Sequence, residues 1–94
     1  MKKYEIMYIV NASLDDAARQ ELISSLHAII TDHSGNIVKV DEWGMREFAY
    51  RINFMNKGYY VVTTVEATNE GIKEFDRLAR INRNIVRFMI VKQD

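Results

Sequence analysis

Few side chains in this sequence have the types and spacing that metal binding or catalysis requires. His27 and His33 are six positions apart, whereas two histidines that share a helix face to hold a metal stand at i and i+4. No cysteine is present, which excludes thiolate metal sites and disulfides. Asp15 and Asp16 are more simply explained as charges that stabilise the start of a helix. We therefore expect no metal site, no cofactor and no enzyme activity.

The basic side chains are stronger candidates for a binding function. The 13 Lys and Arg residues are balanced by 13 Asp and Glu residues, so the formal net charge is zero. The basic residues nevertheless concentrate at the two ends: Lys2 and Lys3 open the chain, and residues 77–94 contain five basic side chains and one acidic side chain. A local positive patch is enough to attract an anionic partner such as RNA. Taken alone, the same residues are also compatible with an ordinary solvated rim of charge.

The bulk composition is typical of a folded globular domain. Apolar residues make up 48% of the chain and charged residues 28%, far from the composition of disordered proteins. The apolar run at residues 6–10 is too short for a signal peptide or a membrane span. We therefore expect a cytoplasmic protein.

A strand and a helix open the predicted fold. Apolar residues alternate along the strand, which predicts one core face and one mixed face. The core set is Tyr4, Ile6, Tyr8 and Val10, and the mixed set is Lys3, Glu5, Met7 and Ile9. From Ala18 to Ile30, apolar residues recur at spacings of three and four, which predicts a helix. We expect Ser13 to be its N-cap and Gly35 to end it in a left-handed conformation.

A long hairpin forms the middle of the chain. The sequence predicts strands over residues 36–50 or beyond and 59–66, joined by a loop at 53–58. Gly44 predicts a bulge or a close backbone approach within the first of these strands. Thr68 or Asn69 is expected to cap a second helix. Its apolar face contains Ile72, Phe75, Leu78 and Ala79, and a last strand covers residues 85–92.

This order of elements predicts one α+β domain over residues 1–94 with the ferredoxin-like βαββαβ fold. Right-handed crossovers give a four-stranded antiparallel sheet of order 4-1-3-2, with both helices on one face. The other face then has no helix to cover it. Its predicted apolar side chains are Met7, Ile9, Tyr60, Val62, Met89 and Val91. Such a face indicates either scattered surface residues or a surface that a partner covers.

Three other functions occur on this fold. An RNA-recognition motif would need its aromatic signature, which is absent, and aromatic residues facing outward on the first strand. An acylphosphatase would need an Arg-bearing Gly-rich loop after that strand, where this chain has residues 11–14, Asn-Ala-Ser-Leu. A regulatory or ligand-binding domain that dimerises through its open sheet remains compatible with the residues.

The hairpin and both ends of the chain resemble one known family. The run Trp43-Gly44-x-Arg46-x-Phe48-Ala49-Tyr50-x-Ile52, followed by Gly58-x-Tyr60, is similar to the central hairpin of the bacterial small-subunit ribosomal protein S6 family. The opening Lys3-Tyr4-Glu5 and the closing Asn82-x-x-Ile85-x-Arg87-x-Met89-Ile90-Val91 fit the same family. The resemblance covers nearly the whole chain in order.

The resemblance implies a structural component of the small ribosomal subunit. It implies that the protein binds the central domain of small-subunit ribosomal RNA together with ribosomal protein S18. It also implies no membrane, no small-molecule substrate and a monomer outside the ribosome. By position, the basic places of the family correspond to Lys2, Lys3, Arg46, Arg87 and Lys92. Arg80, in the second helix, is expected to extend this patch.

Two positions depart from the family pattern. Arg51 stands where a proline is common, and Phe54 stands where a lysine is often found. The sequence also ends at Asp94, before the longer tail of some members. Contacts that such a lysine or tail makes elsewhere are therefore not carried over to this chain.

Overall fold

Six elements follow one another in the predicted order. The structure is a computed structural model that describes residues 1–52 and 55–93, with side chains described outside 49–55. The elements are β1 (Lys2–Asn11), α1 (Asp16–Asp32), β2 (Asn36–Ile52), β3 (Met55–Ala67), α2 (Asn69–Ile81) and β4 (Ile85–Gln93). The strands form one antiparallel sheet of order β2-β3-β1-β4, which is the predicted order read from the other edge. The predicted ferredoxin-like fold is confirmed.

The core lies between the helices and one face of the sheet. The alternation predicted for β1 holds from Lys3 to Tyr8, because its core set is buried while Lys3, Glu5 and Met7 are more exposed, but it fails at Ile9, which is 4% exposed. On β4, Phe88 stands opposite Tyr8 and Ile90 stands opposite Ile6, so they belong to the same face. The helices contribute Ile23, Leu26, Ile30, Phe75 and Ala79 to this core. Burial of each large apolar side chain contributes about 1.5–3 kcal/mol, which fixes the sheet against the helices.

Two details of α1 differ from the sequence prediction. Asp15, not Ser13, is the N-cap, since its carboxylate accepts a hydrogen bond from the Ala18 backbone N–H at 2.7 Å. The Ser13 hydroxyl donates to the side chain of Asn11 instead. At the other end, Ser34 takes the left-handed conformation, with φ of 68°. Gly35 is required for another reason, because a Cβ there would lie 2.6 Å from the Glu66 carbonyl oxygen.

The hairpin confirms the predicted bulge and corrects the predicted loop. The β2–β3 register shifts between Glu42 and Gly44, and Gly44 has φ of 85°. A Cβ at Gly44 would meet nothing within 4 Å, so the glycine serves its backbone conformation and not close packing. The predicted loop at 53–58 is too long, because residues 55–58 belong to β3. Residues 53 and 54, including the Phe54 departure, and the Arg51 side chain lie outside the described part.

Candidate interaction face of the sheet

The sheet surface that faces away from both helices is called the open face below. Strand register places its side chains in rows across the sheet. Met7 stands between Val62 on β3 and Met89 on β4, and Ile9 stands between Tyr60 and Arg87. Five of the six apolar residues predicted for this face are therefore brought into two adjacent rows. The sixth, Val91, lies opposite Glu5 in the next row.

Exposure varies strongly among these side chains. Met89 is 52% exposed and Val91 45%, while Met7, Tyr60 and Val62 are half-buried. Ile9 is the exception, because only 4% of it is exposed. Its side chain packs against Gly58, where any added Cβ would collide with it. Ile9 therefore packs beneath the open face and has almost no surface that a partner could contact.

A shallow groove crosses the open face. One cavity of about 280 Å³ is lined by Met7, Ile9, Arg87, Phe88 and Met89. A second cavity of about 130 Å³ is lined by Glu5, Met7, Trp43, Val62, Met89 and Val91. Both cavities share Met7 and Met89, so we call their union the Met7–Met89 groove. Flexible, polarizable methionine side chains suit a surface that adapts to the shape of a partner.

An aromatic cluster on β2 and β3 borders this groove, and the sequence prediction missed part of it. Trp43 is 45% exposed and stacks on Tyr60, with ring centroids 6.3 Å apart and planes at 3°. Phe48 also packs near Tyr60, with ring centroids 6.2 Å apart and planes at 54°. The Trp43 indole N–H donates to the Asp41 carboxylate at 3.2 Å, and the Arg46 guanidinium lies 5.6 Å from the Trp43 ring. The bulge at Gly44 was the available signal, because an inserted residue changes which side chains face outward.

The predicted basic residues do not share one surface. Lys3, Arg46 and Arg87 are in phase with the open face, since they stand opposite Glu66, Gly58 and Ile9 respectively. Lys2 stands opposite buried Ala67 and Lys92 opposite buried Tyr4, so both belong to the helix side of the sheet. The chain ends are nevertheless adjacent, because Lys3 pairs with Gln93.

Arg80 lies apart from the other predicted basic residues. It is on α2, where its guanidinium pairs with Asp76 at 3.0 Å. The same group lies 5.7 Å from the Phe88 ring. Arg80 is therefore on the helix layer, and the structure does not bring it to the open face.

Acidic side chains lie within the open face itself. Glu5 lines the smaller cavity of the groove and stands opposite Val91. Asp41 stands opposite Val62, one row away. Lys3 lies at one end of this face, opposite Glu66, and Arg87 and Arg46 lie at the other end. Lys39 lies on the edge strand β2, two residues before Asp41. The electrostatic pattern is an apolar centre that carries Glu5, with a border that is mainly basic but includes Asp41 and Glu66.

Titratable groups on the helix side have a structural explanation. The Tyr8 hydroxyl lies 3.5 Å from the His27 ring nitrogen Nε2. Burial raises the pKa of Tyr8 and lowers the pKa of His27. The Tyr59 hydroxyl donates to Glu42 at 2.7 Å, and this bond raises the pKa of Tyr59. The Tyr8–His27 contact joins β1 to α1, and the Tyr59–Glu42 bond joins β3 to β2. These side chains lie on the helix side of the sheet or on α1, away from the open face.

The described residues contain no cluster of three or more His, Asp or Glu side chains that could hold a metal ion. No helix in the described part of the chain is long and apolar enough to cross a membrane. The open face carries exposed apolar side chains around a groove, and this arrangement makes it the candidate binding surface.

Known proteins resemble this chain over nearly its whole length. The sequence model of the family described as ribosomal protein S6 matches residues 3–92. The small ribosomal subunit protein bS6 of Shouchella clausii (strain KSM-K16) is 43% identical over 94 residues, which cover 100% of this chain and 99% of that protein. The crystal structure of 30S ribosomal protein S6 from Thermotoga maritima superimposes with a TM-score of 0.92 at 29% identity, covering 98% of this chain and 87% of that one.

Proposed function

The chain belongs to the ribosomal protein S6 family, and on that premise we propose that it binds the central domain of small-subunit ribosomal RNA together with ribosomal protein S18. The family consists of structural proteins of the small ribosomal subunit and is not a class of enzymes. The place of action is then the ribosome, in the cytoplasm. The observation that carries the proposal is the match over residues 3–92, and the charge pattern of the open face supports it.

The proposed RNA contacts form two groups at opposite ends of the sheet. Lys2 and Lys3 begin β1 and Lys92 is near the end of β4, so these three amines lie at one end. Arg46 and Arg87 lie at the other end, near Asn11 and Ile9. Ile9 lies six positions after Lys3 along β1, which corresponds to a distance of roughly 20 Å. Two such groups can contact phosphates on separate turns or strands of folded RNA.

The two kinds of basic side chain suit different roles. Arginine binds phosphate through two parallel hydrogen bonds, whereas lysine acts as a point charge. Arg87 and Arg46 would therefore fix orientation, and the lysine group would add attraction of longer range. Arg80 would contact RNA only on a separate surface, because it is on the helix layer and paired with Asp76.

The protein partner would cover the centre of the open face. Apolar side chains surround the Met7–Met89 groove, namely Met7, Tyr60, Val62, Met89 and Val91. Trp43 extends the groove along β2. Exposed apolar side chains grouped around a groove are typical of a protein interface. Each residue buried there removes apolar area from water, which stabilises the complex.

Co-sedimentation tests the proposed function directly. A tagged copy of the chain expressed in bacterial cells is expected to travel with the small subunits through a sucrose gradient. Purified chain, S18 and a central-domain RNA fragment are expected to form a ternary complex that weakens with salt. The slope of log K against log salt should contain about 0.7 to 0.9 for each phosphate neutralised. Absence from the small-subunit fractions, with no ternary complex, would reject the proposal.

The exposed open face also supports a second candidate, a regulatory domain that dimerises through its sheet. Sedimentation equilibrium of the isolated chain separates the two candidates, since the ribosomal function predicts a monomer. A stable dimer that Met89→Lys dissociates would favour the second candidate. The substitution places a charge on a side chain that is half exposed in the monomer, so the monomer fold should tolerate it.

A further inference from the structure

We propose that the Trp43 end of the Met7–Met89 groove binds an arginine or lysine side chain of the partner protein, which forms ion pairs with Glu5 and Asp41. The inference rests on the proposed function, because that function supplies a protein partner for the open face. It goes beyond that function in naming the chemistry of the contact and two acidic residues that would make it.

The register of the sheet places the two carboxylates on opposite sides of β3, the strand that carries Val62. Glu5 on β1 stands opposite Thr64, and Asp41 on β2 stands opposite Val62. Two strand spacings and two residues along the strand separate them, which corresponds to about 12 Å between their Cα atoms. A long cationic side chain lying over Val62 would reach both carboxylates. The cavity of about 130 Å³ at this place is lined by Glu5, Trp43 and Val62 among others, and Asp41 lies beside it through its hydrogen bond with Trp43.

The chain's own cations leave these carboxylates available. Among the described residues, the ion pairs are Arg19–Asp16, Arg77–Glu74 and Arg80–Asp76, all of them within helices. Asp41 accepts a hydrogen bond from the Trp43 indole, which holds the ring in place and leaves other lone pairs of the carboxylate free. Lys39 is in the same row as Glu5 and stands two residues before Asp41 on β2, but it forms no ion pair with either carboxylate in the described part.

The indole ring completes a site for a cation. A guanidinium or ammonium group is attracted to the face of tryptophan, and more strongly where water is excluded. Tyr60 stacks on the Trp43 ring and the Arg46 guanidinium lies 5.6 Å from its centroid, so an incoming cation would share the exposed part of the ring with Arg46. Two carboxylates beside an exposed indole therefore select arginine or lysine. The apolar stem of such a side chain would pack on Met89 and Val91.

The same charges disfavour RNA as the occupant of the groove. Phosphate groups over Glu5 and Asp41 would be repelled, whereas Lys3, Arg87 and Arg46 at the border attract them. A protein that binds RNA beside this chain must itself neutralise phosphates, so it carries basic side chains. The two acids beside the groove and the cations at the ends of the open face thus divide this face between a basic protein and RNA.

Charge reversal at the two acids tests the inference. We expect Glu5→Lys and Asp41→Lys each to weaken binding of purified S18 by about tenfold or more, and the double variant to weaken it further. The affinity for the RNA fragment alone should be unchanged or higher. Trp43 is the only tryptophan in the chain, so in the absence of RNA its fluorescence reports on S18 binding at the site. Glu21→Lys is the matched control, because Glu21 is exposed on α1 and should not affect either partner.

The outcomes separate the inference from the function on which it rests. Wild-type binding to S18 together with equal binding by the double variant would overturn the inference and leave the proposed function intact. Failure of the wild-type chain to bind S18 or RNA would overturn both. Ultraviolet crosslinks from the RNA fragment to Met7 or Met89 in the ternary complex, mapped by mass spectrometry, would show that RNA occupies the groove and would overturn the inference. Glu5→Gln and Asp41→Asn, which only neutralise the acids, replace any reversal variant whose circular dichroism shows that it has not folded.

Discussion

Alternate side chains of β1 meet two different environments. Tyr4, Ile6, Tyr8 and Val10 point toward the helices and are buried, whereas Met7, on the opposite face of the same strand, is only half-buried. The side chains buried on the helix face form the packed core. On the open face, apolar side chains remain partly in water and are bordered by charges. The difference indicates that stability is concentrated on one side of the sheet, which leaves the other side free to bind.

Truncation of one large side chain on each face should give the largest difference in the free energy of unfolding between the two faces. Ile6 is 1% exposed, so Ile6→Ala leaves a cavity and should lower the free energy of unfolding by about 2–5 kcal/mol. Met89→Ala, the matched change on the open face, should cost less than about 1 kcal/mol. Urea denaturation followed by circular dichroism measures both. Equal losses would show that the open face contributes to stability as much as the core does.

Gly44 tests whether the bulge that shapes the open face is also needed for stability. Its φ of 85° is rarely adopted by other residues, and a β-branched side chain tolerates it worst. Gly44→Val should therefore cost about 1–3 kcal/mol of stability. Met45→Val, at the next position of β2, is the control, because valine suits an exposed strand. An unchanged melting temperature for Gly44→Val would show that the strand can lose the bulge without strain.

The two faces also differ in how far the sequence could predict them. Strict alternation in β1 predicted the core because one face of that strand is wholly buried. Trp43 was missed on the open face because the bulge adds a residue and breaks the alternation on which the prediction depends. The N-cap was misplaced because Ser13 and Asp15 are both good caps, and only the backbone path decides between them. Alternation also places Lys2 in phase with Tyr4 and Lys92 in phase with Ile90, so their position on the helix side could be predicted, but the predicted basic patch grouped them by nearness to the chain ends.

Arg87 tests whether the open face contributes to binding but not to stability. Arg87→Glu should weaken assembly with RNA and the partner protein and should lower the salt slope by about 1. The melting temperature should hardly change, because Arg87 is exposed. Lys73→Glu makes the same charge change on exposed α2 and should leave assembly intact. Filter binding at several salt concentrations measures the effect, and an unaltered slope would remove Arg87 from the RNA contact.

Protonation of His27 is expected to change stability least among these tests. The change should be limited to the helix face of the sheet. Burial lowers the pKa of His27 in the folded chain below its ordinary value of 6.5, and the nearby Glu42 charge opposes this only in part. As the pH falls through about 6.5, the unfolded chain therefore takes up the proton before the folded chain does. The free energy of unfolding should be flat above this pH and should decrease below it.

Replacement of the histidine isolates this pH dependence from other acid effects. His27→Gln should flatten the acid-side decrease between pH 6.5 and the lower folded-state pKa, whereas His33→Gln should retain it because His27 is still present. Urea midpoints measured from pH 8 to pH 5 provide the comparison. Partner binding to the open face, measured over the same range for wild type and His27→Gln, should be the same, because His27 contacts Tyr8 on the opposite side of the sheet. A binding difference between these two proteins would mean that the two faces are coupled through β1, and the separation of stability from binding would then fail.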